Sequence, residues 1–197
     1  MTQSRSQTSR QGGFTLIETM IAMAIMSIGI CTLLAAFGTA VATTQNAQAN
    51  LIARQKALQA MESIYTARNT QQITFSQIAN IASGGVFTNA ATQLLSAGPD
   101  GLVNTADDAT FAATGPCPAG PECVVMPGPD GILGTADDTA MSLGNFQRQI
   151  QINSVLEADG VTIDPTLKQI VVTVTYTTGT SHSPQSYTID ALISAYR

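Results

Sequence analysis

Between Thr19 and Ala53 the chain contains no Asp, Glu, Lys, Arg or His. An uncharged interval of that length reads as a membrane span rather than as an ordinary surface helix. Basic residues are scarce throughout: eight Lys and Arg stand against thirteen Asp and Glu, for a net charge of −5. That balance offers no basic footprint for nucleic acid. Histidine occurs once, as His182 in a Ser-rich loop, which argues against a zinc site. Ser, Thr and Asp are plentiful, but without a second His no nucleophile-and-base arrangement suggests itself, so a non-enzyme is expected. There are three cysteines. Cys31 falls inside the apolar run and reads as a small packing residue. Cys117 and Cys123 flank a short Pro- and Gly-containing stretch; they are a candidate disulfide outside the cytoplasm, with free thiols as the alternative.

What is present begins with the apolar run itself. Phe14 to Val41 is 28 residues of mostly Ile, Leu, Met, Ala, Val and Phe, where about 20 suffice to cross a bilayer as a helix. Ahead of it, residues 1–13 are polar and carry Arg5 and Arg10 with no acid, which holds the N-terminus in the cytoplasm and sends the rest outward. No small-residue cleavage site follows the apolar run, as a secretory signal peptide would require; Gly12 and Gly13 precede it instead.

Residues 42–69 continue as helix, with neither Gly nor Pro and with many Ala, Gln, Leu and Met. Leu51, Leu58, Met61 and Tyr65 share one side, Ile52 and Ile64 widen it, and together they predict an amphipathic stripe in need of a partner surface. The C-terminal third supplies one. Ile170, Val172, Val174 and Tyr176 alternate with Val171, Thr173, Thr175 and Thr177, and Phe146–Ile152 and Ser186–Ser194 alternate more loosely. Three antiparallel strands are expected, with CVVM from Cys123 as a candidate fourth and Gly179–Gln185 as a connecting loop. Residues 70–140 read as short helix followed by long Gly- and Pro-rich loop. The expected class is α+β: a helix whose second half packs on a small sheet, with residues 70–197 as the head.

Glu18 is the exception in the apolar run. A carboxylate near the end of a span is costly and normally marks a function with an identifiable partner, yet the span holds no Lys, Arg or His. Snorkelling to the interface, or staying protonated, would also accommodate it. The order basic leader, Gly12-Gly13, Phe14-Thr15-Leu16-Ile17-Glu18, apolar run resembles the class III signal of type IV pilins and of the pseudopilins of type II secretion. That resemblance implies cleavage after Gly13 by a prepilin peptidase, N-methylation of Phe14, storage in the bacterial inner membrane with the head outside, and assembly with other subunits on an inner-membrane platform. Residues 57–69, ALQAMESIYTARN, and the closing residues 167–194 look most like minor pilins of the pilus modification type and related minor pseudopilins. Cleavage would create an α-amino group at Phe14 with a reference pKa near 8, able to meet Glu18 of a neighbouring subunit. Gly29 and Gly38 weaken the helix inside the span and suit close helix packing or a segment that stretches; the helix-kinking proline of many major pilins is missing.

Residues 97–110, AGPDGLVNTADDAT, return thirty positions later as PGPDGILGTADDTA at 127–140, with eight identities. Asp100, Asp107 and Asp108 match Asp130, Asp137 and Asp138. Pro-Asp-Gly supplies a turn and Asp-Asp clustered charge, so two Ca²⁺ sites are one expectation and two solvated turns the other. The spacing is not an EF-hand. Two function classes follow: a minor structural subunit of a type IV pilus-like filament or pseudopilus, or a membrane-tethered, calcium-dependent adhesive module that never polymerises.

Overall fold

The computed structural model describes residues 13, 15–179 and 181–196, with only the backbone at 181 and 182. Phe14 and the His182 side chain therefore lie outside the described residues. Met1–Thr44 and Gln45–Arg197 form two compact units. A single helix, α1 (Leu16–Asn69), contributes to both. It is long and apolar enough to cross a membrane.

In the second unit, α1 lies against a four-stranded antiparallel sheet built from β1 (Thr92–Gln93), β4 (Phe146–Leu156), β5 (Ile163–Thr178) and β6 (Ser181–Ser194), in the order β1-β4-β5-β6. The α+β arrangement and the three long strands stand as expected. β2 (Cys123–Met126) is a strand too, but it pairs with β3 (Thr139–Ser142) in a separate hairpin rather than joining the main sheet. The fourth strand of the main sheet is β1 instead. The connection between β5 and β6 is also tighter than Gly179–Gln185, because pairing runs out to Thr178↔Ser181. The only regular helix described between α1 and β1 is one 3₁₀ turn, Ile81–Ser83.

The face that α1 buries differs from the stripe of large residues. Leu51 and Leu58 are 59% and 43% exposed, and Tyr65 is half-buried with its hydroxyl donating to Leu192 O. The core face is Ala49, Ala53, Ala57, Ala60 and Ala67, with Ile52, Met61 and Ile64 at its margins. Methyl groups let the helix axis approach the sheet closely, and the volume is then filled from the sheet side by Phe146, Ile150, Ile170, Val172, Val174 and Tyr176. Asn50 Nδ2 donates to Tyr176 Oη, Asn46 Oδ1 accepts from Thr178, and Arg68 reaches the carbonyls of Ser194 and Tyr196, fixing the helix along its length. Ala57 is fully buried, so Ala57→Leu is expected to destabilise the head by about 1–3 kcal/mol through overpacking. Chemical denaturation of the full chain in detergent checks this, and an unchanged midpoint would contradict the close approach.

Candidate functional site

The first turn of α1 carries more local information than its charge alone. Thr15 immediately precedes the helix, and its Oγ1 accepts a 3.4 Å contact from Glu18 N–H. Thr15 is thus the N-cap of α1 and Glu18 its N3 residue. A carboxylate there is favoured by the helix dipole. Along the rest of the span every described hydroxyl satisfies itself on its own helix: Thr19, Ser27, Thr32, Thr39, Thr43 and Thr44 donate to carbonyls three or four residues back at 2.8–3.0 Å. That is what a helix in hydrocarbon demands. The Glu18 carboxylate has no side-chain partner among the described residues, and from Thr15 to Val41 every described side chain is exposed. An apolar surface so continuous requires lipid or other helices to cover it. Gly29 and Gly38 have no atoms near an added Cβ, so nothing among the described residues accounts for them.

Residues 8–30 match the model of the prokaryotic N-terminal methylation motif. The chain carries a prepilin-type signal. No curated protein and no solved structure matches it. The matched span contains Gly13, exposed just before the helix, and Glu18 in its first turn.

The two acidic loops have one internal geometry. Each is closed at its neck by an antiparallel pair, Ser96↔Ala109 in the first and Met126↔Thr139 in the second, again thirty residues apart. In each, the first Asp accepts from the backbone two residues on: Leu102 N–H to Asp100 and Ile132 N–H to Asp130, both 2.8 Å. Asp108 and Asp138 each accept a backbone N–H at 2.7 Å, from Asn104 and Gly134 respectively. Thr105 and Thr135 hydroxyls each donate to the neighbouring Asp107 or Asp137 at 2.7 Å. Gly98 and Gly128 sit where a Cβ would collide with the Asp107 or Asp137 carboxylate. Positions 104 and 134 both have positive φ, 61° and 90°, which Asn and Gly tolerate.

Their settings differ. In the first loop Leu102, Val103 and Asn104 are buried, and Asn104 ties the loop to β4 by accepting from Arg148 Nε at 2.9 Å and donating to Arg148 O at 3.0 Å. Arg148 is fully buried, its terminal nitrogens lack hydrogen-bond partners among the described residues, and Glu122 and Asp108 balance its charge. Burial pushes the guanidinium below its usual value, and the two carboxylates oppose that. Burial likewise pushes the Asp108 carboxyl up, against the Asn104 N–H, the Thr105 hydroxyl and Arg148. Sequence reasoning passed over Arg148, although its place between Phe146 and Ile150 in an alternating strand is an inward one. The second loop is the exposed tip of the β2–β3 hairpin.

The structure joins Cys117 to Cys123, Cα atoms 5.9 Å apart, between the two loops. Lys56 Nζ lies 2.6 Å from Glu122 Oε2, linking α1 to the start of the hairpin as an ion pair rather than an aligned hydrogen bond. No group of three or more His, Cys, Asp or Glu positioned to hold a metal occurs among the described residues. One carboxylate oxygen of the loops is left over: Asp138 Oδ1 is shielded from solvent and accepts no hydrogen bond from the described residues.

Proposed function

We propose that this protein is a minor structural subunit of a type IV pilus-like filament or type II secretion pseudopilus. It is cleaved after Gly13, N-methylated at Phe14, held in the inner membrane with its head outside, and assembled through α1. The observation that carries this reading is the methylation motif at residues 8–30 leading into a helix whose apolar surface is bare within one chain. In a bundle of staggered helices the new amine of one subunit meets Glu18 of the next. A mispaired register would leave a charge buried alone, at a cost of about 3–5 kcal/mol. Glu18 thereby sets register. Co-expression with a prepilin peptidase, followed by N-terminal sequencing, tests the reading: N-methylated Phe14 is expected as the first residue. An intact leader would favour the membrane-tethered, non-polymerising adhesive module.

Calcium belongs to the same proposal as a stiffener of the head. The unpartnered Asp138 Oδ1, in a loop that also carries Asp130, Asp137 and a tight Gly turn, suits a hard cation that takes oxygen ligands. Calcium at roughly 100 times its Kd would add about 2.7 kcal/mol of stability for one site. The expected result is a Tm that rises with Ca²⁺ for the wild-type chain and does not for Asp137→Ala/Asp138→Ala. A wild-type Tm indifferent to Ca²⁺ would remove calcium from the reading.

A further inference from the structure

The two acidic loops share most of their internal bonding, and only one of them is docked. Leu102 and Val103 of the first are 1% and 3% exposed and belong to the core; their counterparts Ile132 and Leu133 at the hairpin tip are 60% and 61% exposed. The docked copy therefore displays what this loop is shaped to sit on. Its apolar pair enters a hydrophobic bed, and an arginine, Arg148, lies close enough to act electrostatically on Asp108. The free copy carries the same apolar pair and the same three aspartates with neither provision.

Both provisions exist elsewhere on the head, on the outer face of α1. Leu51 and Leu58 are seven residues apart and exposed, with exposed Arg54 between them; helical spacing puts all three on one side. Arg54 is distinctive among the described cations. Arg148 is buried against Asn104, Lys56 pairs with Glu122, Arg68 is held by two carbonyls, and Lys168 by the carbonyls of Phe75 and Ile78. Among the described residues Arg54 is the basic side chain without a protein partner.

We infer that the β2–β3 hairpin tip docks on the outer face of α1 in a neighbouring copy of this chain, Ile132 and Leu133 seating against Leu51 and Leu58 while Arg54 faces the tip aspartates. An apolar centre flanked by opposite charges is the pattern that fixes orientation between partners. Tip and face are both exposed in the same molecule, so a second copy is needed to cover them. The two patches are different surfaces, which makes the contact heterologous and able to propagate along a fibre. One Ca²⁺ in the loop would leave it at −1, still complementary to Arg54. The inference rests on the filament reading for the side-by-side supply of copies and adds the contact between heads.

The test is disulfide trapping in the full chain, in a Cys31→Ala background. Leu58→Cys and Leu133→Cys, both exposed positions, are introduced singly and together, and membranes and sheared filaments are oxidised. The double variant is expected to give a ladder of oligomers, the single variants dimers at most. Adding Arg54→Glu should cut the ladder by at least about tenfold through like-charge repulsion, with Arg54→Lys retaining it. A double variant that gives no more than the singles in either fraction overturns the contact, as does trapping of Leu133→Cys on a different protein. Sequencing the N-terminus of the same material keeps the two ideas apart: an intact leader defeats the filament reading, whereas the ladder alone decides the docking.

Discussion

Glu18→Gln is expected to abolish incorporation into filaments while leaving leader removal and membrane insertion intact. Two physical roles compete for this carboxylate. At N3 of α1, whose N-cap is Thr15, its charge contributes about 0.3–1 kcal/mol through the helix dipole. Gln loses no more than that, so if the dipole were the whole role the substitution would be nearly silent. As the partner of a neighbour's amine the same group has a much larger effect, because Gln leaves that amine desolvated and unpaired. The penalty of about 3–5 kcal/mol corresponds to at least about a hundredfold less incorporation. Immunoblotting of sheared filaments against whole cells reads the difference, with N-terminal sequencing verifying cleavage. Wild-type incorporation of Glu18→Gln would end the electrostatic account of register and leave Glu18 only its favourable place at the helix N-terminus. The hydroxyls of Ser27, Thr32 and Thr39 make the contrast interpretable, since each is already satisfied by its own helix.

How much of this was legible in advance varied with the range of the interaction. β5 announced itself, because Ile170, Val172, Val174 and Tyr176 alternate with Thr and face one core. The face of α1 was read in part: Ile52, Met61 and Ile64 are buried as the stripe predicts, but periodicity weights large side chains. The helix buries alanines at positions 49, 53, 57, 60 and 67, where small size rather than hydrophobicity sets the approach, and Leu51 and Leu58 are left outside. Cys123–Met126 is a strand by composition, but its partner at Thr139–Ser142 is settled by the closure of the acidic loop between them. Thr15 was readable as the N-cap of α1, a signal masked by the attention the Glu18 charge draws. The repeat itself was plain, whereas the fate of its two copies was not. Eight shared residues give both loops one shape, and the docking turns on the position where Asn104 in one is Gly134 in the other: only Asn can reach Arg148 on β4.

Asn80 shows the same long-range logic in the head and carries the largest expected effect on its stability. β4 pairs with β5 on one side along its whole length, but on the other β1 covers only Gln147 and Arg148. Beyond them the edge would be an unpaired strand inside the protein, which is costly for its backbone groups. Asn80 closes it with one side chain. Its Nδ2 donates to Ile150 O at 2.8 Å and more weakly to Phe87 O at 3.3 Å, while its Oδ1 accepts from Ile152 N–H at 2.8 Å. Although Asn80 precedes the 3₁₀ turn at Ile81–Ser83, its side chain makes no cap to that turn; it is committed to the sheet. Asn80→Ala strands one donor and one acceptor at a site that is 8% exposed, each worth about 1–3 kcal/mol once unsatisfied. A net loss of about 2–4 kcal/mol is expected, with a fall in Tm of roughly 4–12 °C for a unit of this size. Thermal melting of the full chain in detergent measures it, with exposed Asn89→Ala as the control expected to stay within about 0.5 kcal/mol of wild type. Equal melting of the two variants would mean that water closes the β4 edge as well as Asn80 does.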